Sequence, residues 1–222
     1  MSNEVVLYSG GMDSLIAWYY LGKPQTLYVD LGHIYAKKEM SCIEKLPPKP
    51  KIYTDLYGHY FELPNAQIPG RNFLLSMFAA GAGYDKIWMI SQKGEQTVPD
   101  KTRQFYEDAS RMISAFFKRP IVVDTPFWHM YKHDMVKWYL EKGLPVEDLK
   151  ISISCYSAEE GHCGHCQSCW RKYYSLVANG IKCADWFNSD VVAWGMQNYG
   201  NRLENYDEER QRVMRIALYG EA

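Results

Sequence analysis

The string Ser9-Gly10-Gly11-Met12-Asp13-Ser14 lies between a short apolar run at residues 5–8 and a helix-like segment at 13–21. Glycines at a strand-to-helix turn carry no Cβ, so the backbone can bend sharply and aim its N–H groups outward. The positive end of the following helix then backs those donors, which is the construction of a phosphate cradle. Ser9 and Ser14 add hydroxyl donors. Asp13 cannot serve a phosphate directly, because a carboxylate repels it; its two open roles are to hold Mg²⁺ or to cap the helix. The Walker pattern is absent, since no Gly-Lys-Ser/Thr follows. The expected nucleotide-holding stretch is Tyr8, Ser9, Gly10, Gly11, Met12, Asp13, Ser14, Leu15, Ile16, Ala17 and Trp18, with ATP and Mg²⁺ as its ligands.

A second cluster stands far downstream. Cys155, Cys163, Cys166 and Cys169 comprise four of the six cysteines. Two Cys-x2-Cys steps share Cys166, and such a turn lets both sulfurs reach one ion at about 2.3 Å. Four thiolates would close a tetrahedral site with no place for water, which describes structural zinc. Spacing alone leaves an iron–sulfur cluster open. His162 and His165 are alternative ligands, but a solvent-facing position is expected for both. Cys42 and Cys183 stand apart and read as ordinary small residues.

The elements that position these groups follow from the alternation of short apolar runs with amphipathic segments. Strands are expected at 4–8, 26–29, 51–56, 86–90 and 121–123. Helices are expected at 13–21, 35–45, 71–82, 102–117 and 131–142, with Phe73, Leu74, Met77 and Phe78 as the apolar face of the third. Asn65 to Gly70 reads as a loop, and 92–101 as polar and irregular. This order predicts a Rossmann-like, doubly wound parallel sheet in an α/β domain over residues 1–149. From residue 150 the periodicity disappears, and 150–222 reads as a helical metal-binding module with helices at about 170–177 and 204–219. Asp30 ends the second strand, on the edge of the sheet where ligands bind.

Composition sets outer bounds. The 222 residues are 47% hydrophobic and 15% aromatic, with net charge −1. Disorder is excluded as a class, and no global charge argues for nucleic acid or an anionic membrane. No apolar run reaches membrane-spanning length, and Met1-Ser2-Asn3-Glu4 lacks the features of a signal peptide. The expectation is a cytoplasmic protein with reduced thiols.

Ser-Gly-Gly-x-Asp-Ser resembles the PP-loop of the ATP pyrophosphatase family. Joined to Cys155-Tyr156 and Gly161-His162-Cys163-Gly164-His165-Cys166-Gln167-Ser168-Cys169, the chain resembles the 7-cyano-7-deazaguanine synthase family of the queuosine pathway. Further likenesses are Ile68-Pro69-Gly70-Arg71-Asn72, Val98-Pro99-Asp100 with Phe105, Thr125-Pro126 with Lys132, and Ala178-Asn179-Gly180. The resemblance implies an ATP-dependent C–N ligase. ATP would adenylylate 7-carboxy-7-deazaguanine, ammonia would give the amide, and a second ATP would yield the nitrile.

In that reading Asp13, Arg71 and Lys132 are the catalytic set, and Asp30, Arg71, Asn72 and Asp100 hold substrate. Each has a plainer alternative: a salt bridge for Arg71, a helix cap for Asn72, a turn residue for Asp100, a solvated face for Lys132. The resemblance also implies a homodimer. The aromatic tail (Trp186, Phe187, Trp194, Tyr199, Tyr206, Tyr219) would supply an interface or pack on its own domain. Asp30-Leu31-Gly32-His33-Ile34-Tyr35 departs from the family's Asp-Tyr-Gly-Gln-Arg-His, and the loop before Pro99 is shorter than usual. These departures leave open an enzyme that stops at the amide. A tRNA sulfurtransferase would require a catalytic cysteine near the loop or a nucleic-acid-binding extension, and neither is evident. A third alternative is a zinc-stapled binding module with an inactive ATP fold.

Overall fold

Runs rich in Val, Ile, Leu, Tyr and Trp, too short for helices and bounded by polar or glycine turns, pair side by side as β1 (Glu4–Leu7), β2 (Gln25–Val29), β3 (Lys51–Tyr53), β4 (Lys86–Trp88) and β5 (Val122–Asp124). In the computed structural model, which describes residues 3–54, 58–64 and 68–220, all neighbours are parallel and the sheet order is β3-β2-β1-β4-β5. Val5 pairs with Gln25 on one side and Ile87 on the other. The chain works outward from β1 to β3, then crosses back to β4. A crevice therefore opens at the carboxyl ends of β1 and β4, where the winding reverses. Positions 55, 56 and 65–67, expected as a strand end and a loop, lie outside the described residues.

Helices α1 (Met12–Tyr20), α2 (Ala36–Lys45), α3 (Arg71–Gly81), α4 (Arg103–Phe117) and α5 (Lys132–Glu141) connect or flank the strands. One face of the sheet buries Val5, Leu27, Ile87 and Val123 under Ala79, Ala80, Tyr106, Ala109 and Ile113 of α3 and α4. The opposite face carries α1 and α5 and continues without a break into the C-terminal helices through Met12, Ile16, Val136, Tyr139, Trp170 and Leu176. The expected doubly wound sheet is thus observed.

The apolar face expected for α3 is observed in part: Phe73, Met77 and Phe78 pack against the sheet core. The buried residues of α3 are Asn72, Ser76, Ala79 and Ala80, whereas Leu74 is exposed and Phe73, Met77 and Phe78 are only half-buried. Small side chains let this helix lie close against the sheet, with Ser76 Oγ satisfied by the Asn72 carbonyl at 2.9 Å. The C-terminal segment holds more helix than its composition suggested. Beyond α6 (Val146–Ile151) and α7 (Gln167–Val177) come α8 (Val191–Tyr199) and α9 (Glu208–Tyr219). Asp190 caps α8 by accepting from the N–H groups of Val192 and Ala193. Asp207 caps α9, which is why that helix starts later than position 204. The aromatic tail packs on its own domain: Tyr199 stacks on Trp170 at 6.0 Å, and Trp186, Trp194 and Tyr206 lie against the same core. Among the described residues, no helix is long and apolar enough to cross a membrane.

Candidate active site and metal centre

The turn after β1 takes its shape from two glycines. Gly10 has φ +71°, and a Cβ there would meet Cys42 Cβ at 3.1 Å and the Glu39 carbonyl at 3.2 Å. Its carbonyl accepts from Ile153 N at 3.1 Å, which ties the loop to the C-terminal segment. Ser14 Oγ donates to the Gly11 carbonyl at 3.0 Å, and Gly11 N donates to Ser9 Oγ at 3.3 Å. Gly11 caps α1 with no side-chain acceptor for the first N–H groups, and Asp13 does not take that role. Gly11, Met12, Asp13 and Ser14, at the start of that helix, line the crevice. We expect Gly10→Ala to cost about 1–2 kcal/mol from the left-handed backbone alone. Crowding against Cys42 should add to this, with weaker nucleotide binding. A thermal melt and an ATP titration of the purified variant check it.

A cavity of about 220 Å³ opens above the loop. Of the stretch nominated for nucleotide, Tyr8, Ser9, Gly11, Met12, Asp13 and Ser14 line it. Leu15, Ile16 and Ala17 stand behind them in the core, and Trp18 Nε1 donates to the Pro24 carbonyl at 3.1 Å. Lys132, expected either as a catalytic cation or on a solvated face, is buried in the cavity wall. Its Nζ lies 2.8 Å from Asp13 Oδ1, close but without the alignment of a hydrogen bond, so the contact is electrostatic. That oxygen already has the Lys132 ammonium as its counter-charge.

Arg71 and Asn72 also line the cavity. Arg71 Nη1 donates to Tyr35 Oη at 2.7 Å. Burial works against its charge, yet Tyr35, Glu39 and Tyr156 hold its pKa above the ordinary guanidinium value. Burial pushes the Tyr35 phenol up to about 12. Asn72 does not cap α3; Gly70 stands at the cap, and Asn72 Nδ2 donates to the Asp100 carbonyl at 3.3 Å. The other two nominated carboxylates stand apart from the lining. Asp30 Oδ1 accepts from Gly32 N at 2.8 Å, and Asp100 sits in a 3-10 turn over Pro99–Lys101.

Several lining residues carry signals that sequence reading passed over. Glu95 is buried between Lys101 Nζ at 2.8 Å and Arg171 Nη1 at 3.1 Å. Burial opposes its charge, but the two cations hold its carboxyl below the usual range. Arg171 follows Cys169 by two positions, and the cysteines drew the attention there. Glu39 has neighbours of similar polarity along α2, so periodicity alone would place it on a solvated face.

The four cysteines converge as expected. Their sulfurs all lie within 4.8 Å of one another, and Cys163 and Cys169 are 3.9 Å apart. Tetrahedral bonds of about 2.3 Å would set sulfur separations near ~3.8 Å, so this donor set fits a single ion such as Zn²⁺. Gly164, at φ +80°, makes the tight turn between two of them, and a Cβ there would strike the Ser189 carbonyl at 2.4 Å. Backbone N–H groups of Ser157 and Cys163 point at Cys155 Sγ, and that of Cys169 at Cys166 Sγ, which favours thiolates.

His165 is exposed, but His162 corrects the expectation: it is buried, 2.9 Å from Lys172 Nζ, and is not a ligand. Burial, then the nearby Lys172 charge, pushes His162 down to about 3, which leaves it neutral and able to accept. Lys172 is itself fully buried, donating to the Ser152 carbonyl at 2.5 Å. It thereby clamps the segment whose next residue, Ile153, holds the phosphate loop. Cys42 and Cys183 are both buried. Cys42 Sγ donates to the Ile151 carbonyl at 3.2 Å, and burial pushes its thiol pKa up, as expected of an inert cysteine.

A parallel sheet with a glycine turn at its switch point, followed by a C-terminal segment with four converging cysteines, defines the class: a doubly wound α/β protein with a candidate metal centre. Residues 50–180 match the family model described as queuosine biosynthesis protein QueC, and the chain belongs to that family. Among curated relatives it is 28% identical to the 7-cyano-7-deazaguanine synthase of Methanocaldococcus jannaschii, over 70% of this chain and 72% of that one. It is 27% identical to that of Archaeoglobus fulgidus, over 94% and 96%, and 25% identical to that of Marinobacter nauticus, over 80% and 93%.

Proposed function

We propose that the chain is an ATP-dependent ligase that converts 7-carboxy-7-deazaguanine and ammonia to 7-cyano-7-deazaguanine through adenylylated intermediates. The observation that carries this reading is one cavity lined by the phosphate loop, the Asp13–Lys132 pair and Arg71, in a chain of the QueC family. We assign nucleotide binding to residues 1–149 and the metal to 150–222, and read the assembly as a homodimer.

A carboxylate is a poor electrophile. Attack of its oxygen on the α-phosphorus of ATP releases pyrophosphate and gives an acyl-adenylate. Ammonia adds to the acyl carbon, AMP leaves, and a proton is lost to give the amide. A second ATP adenylylates the amide oxygen; departure of AMP and loss of the nitrogen protons leaves the C≡N bond. The loop N–H groups, Ser9 and Ser14 would hold the phosphates in line for both attacks. Lys132 would stabilise charge as it develops on the departing pyrophosphate. Asp13 would hold Mg²⁺, which neutralises phosphate charge when bound. Arg71, a rigid fork kept charged, suits the substrate carboxylate, with Asn72 beside it on the cavity wall as the further substrate-side group. Cys155, Cys163, Cys166 and Cys169 would hold Zn²⁺, a closed site that supplies no reactive position. No covalent nucleophile is required.

The deciding experiment supplies purified protein with ATP, ammonia and 7-carboxy-7-deazaguanine, then measures AMP and identifies the product by mass spectrometry. The expected result is the nitrile with two AMP per product. Amide alone, with one AMP, would replace this reading with an enzyme that stops halfway.

A further inference from the structure

Three carboxylates line the cavity: Asp13, Glu39 and Glu95. Asp13 faces Lys132. Glu95 has a cationic donor on each oxygen, Lys101 on Oε2 and Arg171 on Oε1. Glu39 differs from both. Tyr28 Oη donates to its Oε2 at 2.9 Å, and His33 Nε2 lies 3.1 Å from the same oxygen. Its Oε1 has no hydrogen-bond partner among the described residues, and no Lys or Arg pairs with it there. A carboxylate accepts about four hydrogen bonds, so the capacity of Oε1 is unspent.

A half-buried carboxylate on the cavity wall, with one oxygen fixed and the other open, is an acceptor awaiting a donor. The surroundings limit what that donor belongs to. The Tyr35 and His33 rings meet edge-on at 4.1 Å, and Tyr156 lies 5.5 Å from Tyr35; all three line the cavity. Rings at such positions suit a flat heteroaromatic body. The adjoining Arg71 is fixed by Tyr35 and suits an anionic substituent on that body. The matching ligand is planar, with an acid group at one end and adjacent N–H donors at another.

We infer that Glu39 Oε1 reads the 2-amino and N1–H edge of the deazaguanine, making Glu39 the residue that selects a 2-aminopurine-like acid over its 2-deamino counterpart. The inference rests on the ligase reading and gives the base contact to Glu39 rather than to Asp100, one of the residues expected to hold substrate. Adenine carries an amino group too, so the test must separate the two nucleobases.

The experiment measures KM for 7-carboxy-7-deazaguanine and for the 2-deamino acid, by AMP release with ammonia, in wild type and in Glu39→Gln. The affinity of a non-hydrolysable ATP analogue is followed alongside. Wild type should prefer the 2-amino acid by about tenfold or more, since the bound deamino ligand would cover the open oxygen without pairing it. Glu39→Gln turns an acceptor into a partial donor and should shrink that preference to about threefold or less, with ATP-analogue affinity unchanged.

The inference is overturned if wild type shows no preference, which needs no folded variant. It is also overturned if the preference survives in Glu39→Gln, if ATP-analogue affinity falls with the variant, or if Asp100→Asn removes the preference instead. AMP release without 2-amino selectivity defeats this inference alone. No AMP release from wild type with either acid defeats the ligase reading and this inference with it.

Discussion

Lys132→Met is expected to lower kcat for AMP formation by about 10²–10³-fold, the usual effect of removing a preorganised donor from developing charge. Its Nζ is buried and 2.8 Å from Asp13. Removing the ammonium leaves that carboxylate without its counter-charge. Because Asp13 keeps about a quarter of its exposure, the stability loss should fall below the roughly 3–5 kcal/mol of a fully buried broken pair. The two effects separate in the double variant Asp13→Asn/Lys132→Met, where no charge is left stranded. Its thermal stability should recover towards wild type while its rate does not. Single-turnover AMP release beside a thermal melt checks both. Retention of kcat within about threefold in Lys132→Met would make the lysine a structural counter-ion to Asp13 only.

Cys166→Ser is expected to abolish metal binding and unfold the C-terminal segment. Apparent binding energies of structural zinc in small domains reach about 10–16 kcal/mol, more than most domains can lose. Cys166 opens α7 as its cap, accepting from Cys169 N. The same helix carries Ser168 and Arg171 into the cavity and Lys172 into the core. Losing the centre should therefore remove one wall of the cavity and release the Ile153 contact to Gly10. Metal analysis should fall from about one zinc per chain to none, and ATP affinity should fall with it. A chelator acting on wild type should reproduce both losses. Retained zinc with an unchanged melting curve would contradict the assignment.

Much of this was legible in the residues. Short apolar runs separated by amphipathic segments could only be covered strands, and glycines at 10 and 11 mark a turn that side chains would block. The Cys-x2-Cys steps announce their convergence because so few arrangements satisfy four sulfurs at once. Less legible was α8, an unremarked nine-residue helix whose only strong cue is the cap Asp190. The buried face of α3 was hidden for a related reason. Hydrophobicity points to Phe73 and Leu74, but closeness to the sheet selects Asn72, Ser76 and the alanines. His162 looked like a solvent-facing neighbour of the cysteines, and only packing against Lys172 made it a buried acceptor.

Taken alone, the amino-acid sequence determined the class of sheet, the place of the glycine turn after β1 and the convergence of the four cysteines. Each of these depends on local spacing: the period of a strand, the lack of a Cβ, the reach of a thiol. Tertiary structure decided which charged groups meet. Lys132 reaches Asp13 across 119 positions, Arg171 reaches Glu95 across 76, and Ile153 touches Gly10 across 143. Burial then decided their setting, because the same carboxylate is a solvated surface group on one helix face and a cavity-wall acceptor on another. Residue type and spacing encode what a short stretch of backbone can do. They do not encode which distant side chain will supply its counter-charge, and in this protein that pairing separates Glu39 from Asp13 and Glu95.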